Sequence, residues 1–149
     1  MRKELQQSLF EEYPKLYHEH ILDMTQSTMH WAVAVGDGWY TIIRDLSQEL
    51  QSIIEREKLD PKAFCFSQIK EKLGLLRIYF RSHNLEISKA IARAEERSSK
   101  ICESCGEEGR YFNEGYMRTS CESCQEGWRE RKRQRGAKYT TEEVSGRWV

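Results

Sequence analysis

Residues 101–124, ICESCGEEGRYFNEGYMRTSCESC, contain two Cys-x-x-Cys pairs that are separated by fifteen residues. The four cysteines are Cys102, Cys105, Cys121 and Cys124. In a chain without a recognisable secretory signal, this spacing favours a metal site over disulfides. Two residues between paired cysteines allow the chain to turn back, so that both sulfurs face one ion. We therefore predict that the four thiolates bind one Zn²⁺ ion.

A turn sequence, Asn113-Glu114-Gly115, lies between the two cysteine pairs and is flanked by the aromatic stretches 111–112 and 116–119. Residues of this kind tolerate the left-handed backbone that tight turns need. The pattern predicts a zinc ribbon over residues 100–128, in which a hairpin joins two cysteine knuckles. We expect a positive φ at Gly106, which directly follows Cys105.

A zinc ion held by four thiolates has no open position for water or substrate, so the predicted metal is structural. The centre would carry a net charge of −2, which Lys100, Arg110 and Arg118 are placed to offset. A rubredoxin-like iron site and four reduced thiols with accidental spacing are the alternatives. The second cysteine pair lacks the flanking glycine or proline of electron-transfer loops, which favours zinc over iron.

The segment before the cysteines, residues 1–99, predicts an α+β body in which helices pack on a small antiparallel sheet. Apolar residues recur at helical spacing over residues 3–13, 39–57 and 85–98. Short apolar or alternating runs predict strands over residues 31–35, 64–69 and 75–80, the last two forming a hairpin. Gly36-Asp37-Gly38 breaks the chain before the second helix, and we expect Asp37 to be its N-cap.

Composition excludes several classes of protein. The chain has 149 residues, of which 38% are hydrophobic and 32% charged, and its formal net charge is zero. The longest apolar run is far shorter than the ~18 residues of a membrane-spanning helix, and the polar N-terminal residues do not resemble a secretory signal. These features predict a cytoplasmic protein that does not interact with membranes.

Positive charge is concentrated after the cysteines, in the predicted basic tail 129–149. Residues 125–149 contain seven basic and four acidic side chains, a net charge of +3. We expect a helix there that presents charge on every face and that could bind phosphates, grip an acidic protein surface or remain solvated. The candidate partner-binding residues are Trp128, Arg129, Arg131, Lys132, Arg133 and Arg135.

The remaining polar residues predict no enzyme. His18-Glu19-His20 and His83 lack the spacing of a metal-binding or catalytic motif. Cys65 lies between two phenylalanines, which is typical of a buried, inert thiol. If the protein is an enzyme, the alternative is a hydrolase or nuclease whose site is built around these histidines.

As a set, several short motifs resemble a family of small phage and prophage proteins over most of residues 13–124. The segments that carry the resemblance are Tyr13-Pro14-Lys15-Leu16-Tyr17, Gly36-Asp37-Gly38-Trp39-Tyr40, Gln68-Ile69-Lys70-Glu71-Lys72-Leu73-Gly74, Leu76-Arg77-Ile78-Tyr79, Ala94-Glu95 and Ile101-Cys102-Glu103-Ser104-Cys105-Gly106 with the second cysteine pair. The chain departs from the family pattern at Leu75, where a second glycine is usual, and at Cys124, where histidine is common.

The family is defined by its pattern rather than by an activity, so the resemblance implies no catalytic residue. The sequence offers no nucleophile–base pair, open metal or cofactor loop, but it predicts a rigid small scaffold with a cationic end. We therefore expect a non-enzymatic, phage-type accessory protein in the cytoplasm of a bacterial host that binds a host macromolecule and modulates or inhibits it. The leading target is a host protein, for example one of a defence system. The candidate aromatic residues of the interface are Tyr111, Phe112 and Tyr116. The alternative is a nucleic-acid-binding regulator that uses the ribbon and the basic tail. The sequence gives no prediction of oligomeric state.

Overall fold

The structure is a computed structural model that describes the backbone of residues 1–31 and 33–145 and the side chains of residues 1–30 and 33–136. Three helices surround the core of the body: α1 (Lys3–Glu12), α2 (Tyr40–Arg56) and α3 (Leu85–Ser98). Short 3₁₀ turns at His18–Ile21, Thr28–Trp31 and Asp37–Trp39 connect them to the sheet. The expected α+β class is confirmed.

The body contains one three-stranded sheet, in the order β1 (Val33–Ala34), β2 (Phe66–Lys72), β3 (Leu75–Phe80). Strands β2 and β3 form the expected antiparallel hairpin, with Ile69 opposite Ile78. The expectation of a purely antiparallel sheet is wrong, because β1 pairs with β2 in parallel, Val33 lying opposite Ile69. Helix α2 lies between β1 and β2 in the chain and supplies the long crossover that parallel pairing requires.

The bounds of β2 differ from the expected 64–69 because charged residues interrupt the apolar pattern at its end. Strand β2 continues through Lys70, Glu71 and Lys72, which the sequence analysis assigned to a connection. The true turn is only Leu73-Gly74, and both residues have positive φ, 54° and 81°. This is the two-residue geometry that fits the twist of a hairpin. Of the expected strand 31–35, only Val33–Ala34 is assigned as strand, and Ala32 lies outside the described residues.

The core forms where α2 and α3 lie against the sheet. Helix α2 buries the apolar face expected from its spacing, including Leu46, Leu50 and Ile53. Helix α3 buries Ile87, Ala90, Ile91 and Ala94, and the Asn84 side chain accepts a hydrogen bond from the Ile87 N–H (2.9 Å) as its N-cap. In the described part of the chain, no helix is long and apolar enough to span a bilayer.

The C-terminal part begins directly after α3. Strands β4 (Arg110–Asn113) and β5 (Met117–Ser120) form the expected hairpin, with Tyr111 opposite Thr119. Helix α4 (Glu122–Ser145) follows β5 almost at once. The helix therefore begins at Glu122, ahead of the basic tail 129–149 in which a helix is expected, and its first turn includes Cys124.

Candidate metal centre

The four cysteines of the two Cys-x-x-Cys pairs come together at one point. Their sulfur atoms all lie within 4.8 Å of one another. The Sγ atoms of Cys105 and Cys121 are 3.7 Å apart. Tetrahedral coordination with metal–sulfur bonds of ~2.3 Å requires sulfur–sulfur distances of about 3.8 Å, whereas a disulfide requires about 2.0 Å. The cluster therefore has the spacing of a metal centre and not of a disulfide.

Local backbone structure positions each pair. The Gly106 N–H donates to the Cys102 carbonyl (2.9 Å), which closes the first knuckle, and Gly106 adopts the expected positive φ of 83°. Cys121 leaves the end of β5, and Cys124 lies in the first turn of α4, where its N–H donates to the Cys121 sulfur (3.4 Å). The second knuckle is thus a helix N-terminus.

The electrostatics of the sulfurs favour a bound cation. Burial raises the pKa of the Cys102 thiol, but hydrogen bonds from the backbone N–H groups of Cys121, Cys105 and Ser104 outweigh it and lower the pKa to about 6. Burial and hydrogen bonds with the neighbouring sulfurs raise the pKa of Cys124. A divalent cation is what allows such crowded thiols to ionise together.

The two cysteines of the first knuckle differ in their access to solvent. Cys102 is fully buried and its sulfur lies 3.8 Å from the Ser120 hydroxyl. Cys105 is exposed, while Cys121 and Cys124 are half-buried. An incoming ion would therefore approach from the side of Cys105.

A loop of the body holds the first knuckle in place. The Gly38 N–H donates to the Glu103 carbonyl (2.8 Å), and the Gly36 N–H donates to Glu103 Oε1 (2.9 Å). A Cβ atom on Gly38 would lie 2.1 Å from the Cys102 carbonyl oxygen, so only glycine permits this approach. The buried Trp39 indole N–H donates to the Ile101 carbonyl (2.8 Å).

The role expected for Asp37 is wrong. No side chain caps the 3₁₀ turn or α2, and the Asp37 carboxylate instead accepts the Arg2 backbone N–H (2.7 Å) and pairs with the Arg2 guanidinium. The glycines on either side serve the cysteine knuckle, which explains the Gly-x-Gly spacing better than a capped turn. Sequence reasoning missed this contact, although two glycines around one residue are a signal of close backbone approach.

The β2–β3 turn makes a second contact with the ribbon. The Thr119 hydroxyl, on β5, donates to the Gly74 carbonyl (2.7 Å), and the Tyr116 hydroxyl donates to Glu71 (3.0 Å). A Cβ on Gly74 would lie 2.9 Å from the Arg118 backbone nitrogen. The ribbon is thus attached to the body at both of its ends.

The three cations expected to offset the thiolate charge make other contacts. Lys100 lies 3.8 Å from Glu96, and Arg110 pairs with Glu122 (3.0 Å) at the start of α4. The Arg118 guanidinium lies over the Trp128 ring, 4.9 Å from its centroid. The contacts of these three cations are thus with carboxylates and an aromatic ring.

Several candidate partner-binding residues of the basic tail contact the ribbon or neighbouring acids. Arg129 pairs with Glu114 (2.6 Å) in the β4–β5 turn and also with Glu122 and Glu126. The hydrogen bond from Arg129 lowers the pKa of Glu114 to about 2. Arg133 pairs with Glu126 and Glu130. The charges of these two arginines of the tail are therefore compensated locally.

Of the other candidate partner-binding residues, Lys132 and Trp128 contact neighbouring groups, whereas Arg131 and Arg135 are exposed. Lys132 donates to the Glu114 carbonyl (3.0 Å) and lies 5.0 Å from the centroid of the Trp128 ring. Arg131 and Arg135 are exposed, and no ion pair within the described residues involves them. Trp128 itself is half-buried between the cations of Arg118 and Lys132.

The candidate interface aromatics do not share one surface. Tyr111 and Tyr116 are about half exposed, as an interface would require. Phe112 is buried, with the Arg110 guanidinium 4.2 Å from its ring centroid and that of Arg129 5.7 Å away. It therefore packs the ribbon and is removed from the candidate surface.

The histidines and Cys65 belong to the body. His18 and His20 each contact a backbone carbonyl through Nδ1, those of Lys15 and Tyr17, and His20 stacks on Phe10. His83 lies edge-on to Phe80.

A second group of possible ligands consists of His18, Glu19 and Cys65, which sequence spacing could not bring together. The buried Glu19 carboxylate is already occupied by the Arg81 guanidinium (3.0 Å), the Ser27 hydroxyl (2.6 Å) and the Cys65 thiol (3.6 Å). Burial and the nearby Glu19 raise the pKa of Cys65 to about 12. These contacts are those of a buried carboxylate with an exposed guanidinium and a protonated thiol.

Comparison of the chain with known protein-family models, curated proteins and solved structures finds no match to any of the three. The resemblance to phage proteins therefore stays a prediction.

Proposed function

We propose that this chain is a non-enzymatic zinc protein that binds a protein of a bacterial host and modulates or inhibits it, as a phage accessory protein would. The observation that carries the proposal is the four-sulfur cluster, whose ligand set would fill the coordination sphere of one zinc ion. A metal held in this way folds a segment and leaves no position for chemistry.

Contacts between the ribbon and the body support the same function. The Gly36–Gly38 loop and the β2–β3 turn hold the ribbon from two sides. A surface of fixed shape loses little conformational freedom on association, which favours specific binding. Zinc in this proposal stabilises the scaffold, and exposed side chains of the scaffold recognise the partner.

The test is affinity purification of the metal-loaded protein from a bacterial lysate, with and without nuclease, followed by mass spectrometry. A stoichiometric protein partner that survives nuclease treatment supports the proposal. Recovery of nucleic acid alone, or of partners that all disappear with nuclease, contradicts it. A variant that carries Cys105→Ser serves as the control for metal-dependent folding.

The nucleic-acid-binding alternative has a specific observation in its favour, the exposed Arg131 and Arg135 on α4. It requires affinity for nucleic acid that falls steeply with salt and that is lost when these two arginines are replaced by glutamine. The pairing of Arg129 and Arg133 with acids argues for the protein partner instead.

A further inference from the structure

Both prolines of the chain line the same surface groove, far in sequence from the four clustered cysteines. The first part of the groove encloses about 500 Å³ and is lined by Pro14, Lys15, His18, Asp60, Pro61 and Lys62. A second part of about 250 Å³ shares Lys15 and Pro61 and extends toward Lys58, Leu59 and Phe64. The first part alone is within the size range of ligand clefts, about 300–1,000 Å³.

The walls of the groove are fixed by backbone hydrogen bonds. One wall is the turn after α1, where the Leu16 N–H donates to the Tyr13 carbonyl (3.0 Å). The other is an Asx turn, in which the Lys62 N–H donates to Asp60 Oδ1 (3.0 Å). The Phe66 N–H donates to the Leu16 carbonyl (2.9 Å) and ties the two walls together. The groove is therefore preformed.

The surface inside the groove is apolar, whereas its rim is basic. Pro14, Pro61 and the side-chain stems of Lys15 and Lys62 contribute mostly carbon atoms to the lining. Lys15, Lys58 and Lys62 are exposed, and no ion pair within the described residues involves them.

Two carboxylates also lie at the groove, those of Glu55 and Asp60, and both already accept hydrogen bonds from the chain. Glu55 accepts from the Gln51 side chain (3.1 Å), and Asp60 accepts from the Lys62 backbone. The lining thus has three lysines against two carboxylates, a net charge of +1, and its three ammonium groups are accessible to an external anion.

The backbone at Lys58 gives a second indication. Lys58 has a φ of 53°, in the left-handed region where glycine is favoured after a helix. The chain nonetheless places a lysine there, at a cost in backbone strain. This backbone places the exposed Lys58 side chain beside the groove.

We infer that this groove binds an acidic segment of a partner protein, with one large apolar side chain of the segment inserted between Pro14 and Pro61. Carboxylates on either side of that anchor would meet Lys15, Lys58 and Lys62. The inference rests on the proposed function, because it names the surface and the chemistry by which a protein partner is recognised.

The edges of the sheet offer no competing site for an extended segment in the described residues. The outward N–H groups of β3 are occupied, since that of Leu76 donates to the Ser98 hydroxyl (3.0 Å) and that of Ile78 to Glu95 (2.9 Å). At the other edge, the Val33 N–H donates to the Gln6 side chain (3.0 Å). Strand addition at either edge of this three-stranded sheet would have to displace these contacts.

The test uses a fluorescein-labelled peptide of aspartates and glutamates around one central tryptophan, titrated into the metal-loaded protein. Amide shifts in a ¹⁵N NMR spectrum should map to residues 13–18 and 58–64. The affinity for the acidic peptide should fall as the salt concentration is raised. Two control peptides, one with lysines in place of the acids and one with serine in place of the tryptophan, should bind at least about tenfold more weakly. Equal binding by the lysine peptide, or shifts elsewhere, would overturn the inference.

Variants keep the test independent of folding. Lys58→Gly combined with Lys62→Gln removes two charges, and glycine suits the backbone at Lys58, so the fold should be retained or stabilised. We expect the double variant to bind the acidic peptide about five- to tenfold more weakly. The matched control, Lys3→Gln with Lys89→Gln, removes two other exposed lysines and should bind as the wild type does.

Lysate capture separates failure of the groove from failure of the proposed function. Loss of the captured protein with the Lys58/Lys62 variant, but not with the control, supports both. A partner captured equally by both variants leaves the proposed function intact and overturns the groove. Self-association of the chain that the Lys58/Lys62 variant abolishes would assign the groove to a second copy and also overturn the inference.

Discussion

Gly38 is the residue on which attachment of the first cysteine knuckle depends most directly. Replacing it with alanine places a Cβ 2.1 Å from the Cys102 carbonyl oxygen, so the backbone must move. We expect Gly38→Ala to lower the free energy of unfolding by about 1–3 kcal/mol and to weaken zinc affinity, measured by denaturant unfolding and by competition with a chromophoric chelator. Gly136→Ala, which meets nothing within 4 Å, is the control. Equal stability of Gly38→Ala and the wild type would contradict the contact.

The cysteines could be predicted as one site because spacing alone carries the signal. The contribution of Gly36 and Gly38 could not, because they contact Glu103 across more than sixty positions of sequence. The same distance in sequence hides the pairing of Glu19 with Arg81. Local pattern identifies residue types that suit a role, whereas the partner is decided by the fold.

The buried Glu19 carboxylate pairs with the exposed Arg81 guanidinium and links the 3₁₀ turn His18–Ile21 to the end of β3. Burial raises the pKa of Glu19, but hydrogen bonds from Arg81 and Ser27 outweigh it, and the net effect lowers the pKa. A carboxylate whose pKa is lower in the folded state than in the unfolded state stabilises the fold at pH values above its unfolded pKa. This stabilisation is lost as the pH falls through the pKa of the folded state.

We therefore expect the stability difference between wild type and Glu19→Gln to be constant above about pH 5 and to shrink below about pH 4.3. Thermal unfolding across this pH range measures it. Arg81→Met, which leaves the Glu19 carboxylate buried without its cation, should cost about 2 kcal/mol at pH 7. A pH-independent difference would contradict a charged Glu19 in the folded state.

At the scale of elements, we expect the ribbon to need a bound ion in order to fold. Removal of metal with a strong chelator should unfold residues 100–124, because a hairpin of four-residue strands cannot build a core alone. We expect the Trp39 indole N–H signal to shift as well, since it donates to Ile101. NMR amide dispersion measures both, and a ribbon that stays dispersed without metal would contradict the account.

Elemental analysis of two cysteine variants is the companion measurement. Cys105→Ala should lower the metal content well below one ion per chain, whereas Cys65→Ala should retain one ion, because Cys65 lies outside the cluster. Equal metal content in the two variants would place the site elsewhere.

Elements with strong periodicity were predictable. Helix α3 occupies the predicted residues Leu85–Ser98, and α2 differs by one residue at each end. Strand β1 could not be oriented from sequence, because parallel pairing depends on how α2 crosses the sheet. The start of α4 was missed because the cysteine knuckle and the helix share residues.

At the scale of the whole molecule, charge distribution decides between partners. Of the five basic side chains described on α4, Arg129 and Arg133 pair with acids and Lys132 donates to the Glu114 carbonyl, whereas no ion pair within the described residues involves the lysines around the Pro14–Pro61 groove. We expect weak binding to duplex DNA whose affinity changes less than about twofold when Arg131 and Arg135 are both replaced by glutamine, measured by fluorescence anisotropy at physiological salt. Tight binding that this double variant abolishes would favour the nucleic-acid alternative.

A purely structural role for the metal requires a closed centre of four sulfurs. X-ray absorption at the zinc edge of the purified, zinc-loaded protein tests this most directly. We predict a single shell of four sulfur neighbours at about 2.3 Å. A shell that includes an oxygen or nitrogen neighbour at about 2.0 Å would show an open or mixed coordination sphere and would contradict a purely structural role for the metal.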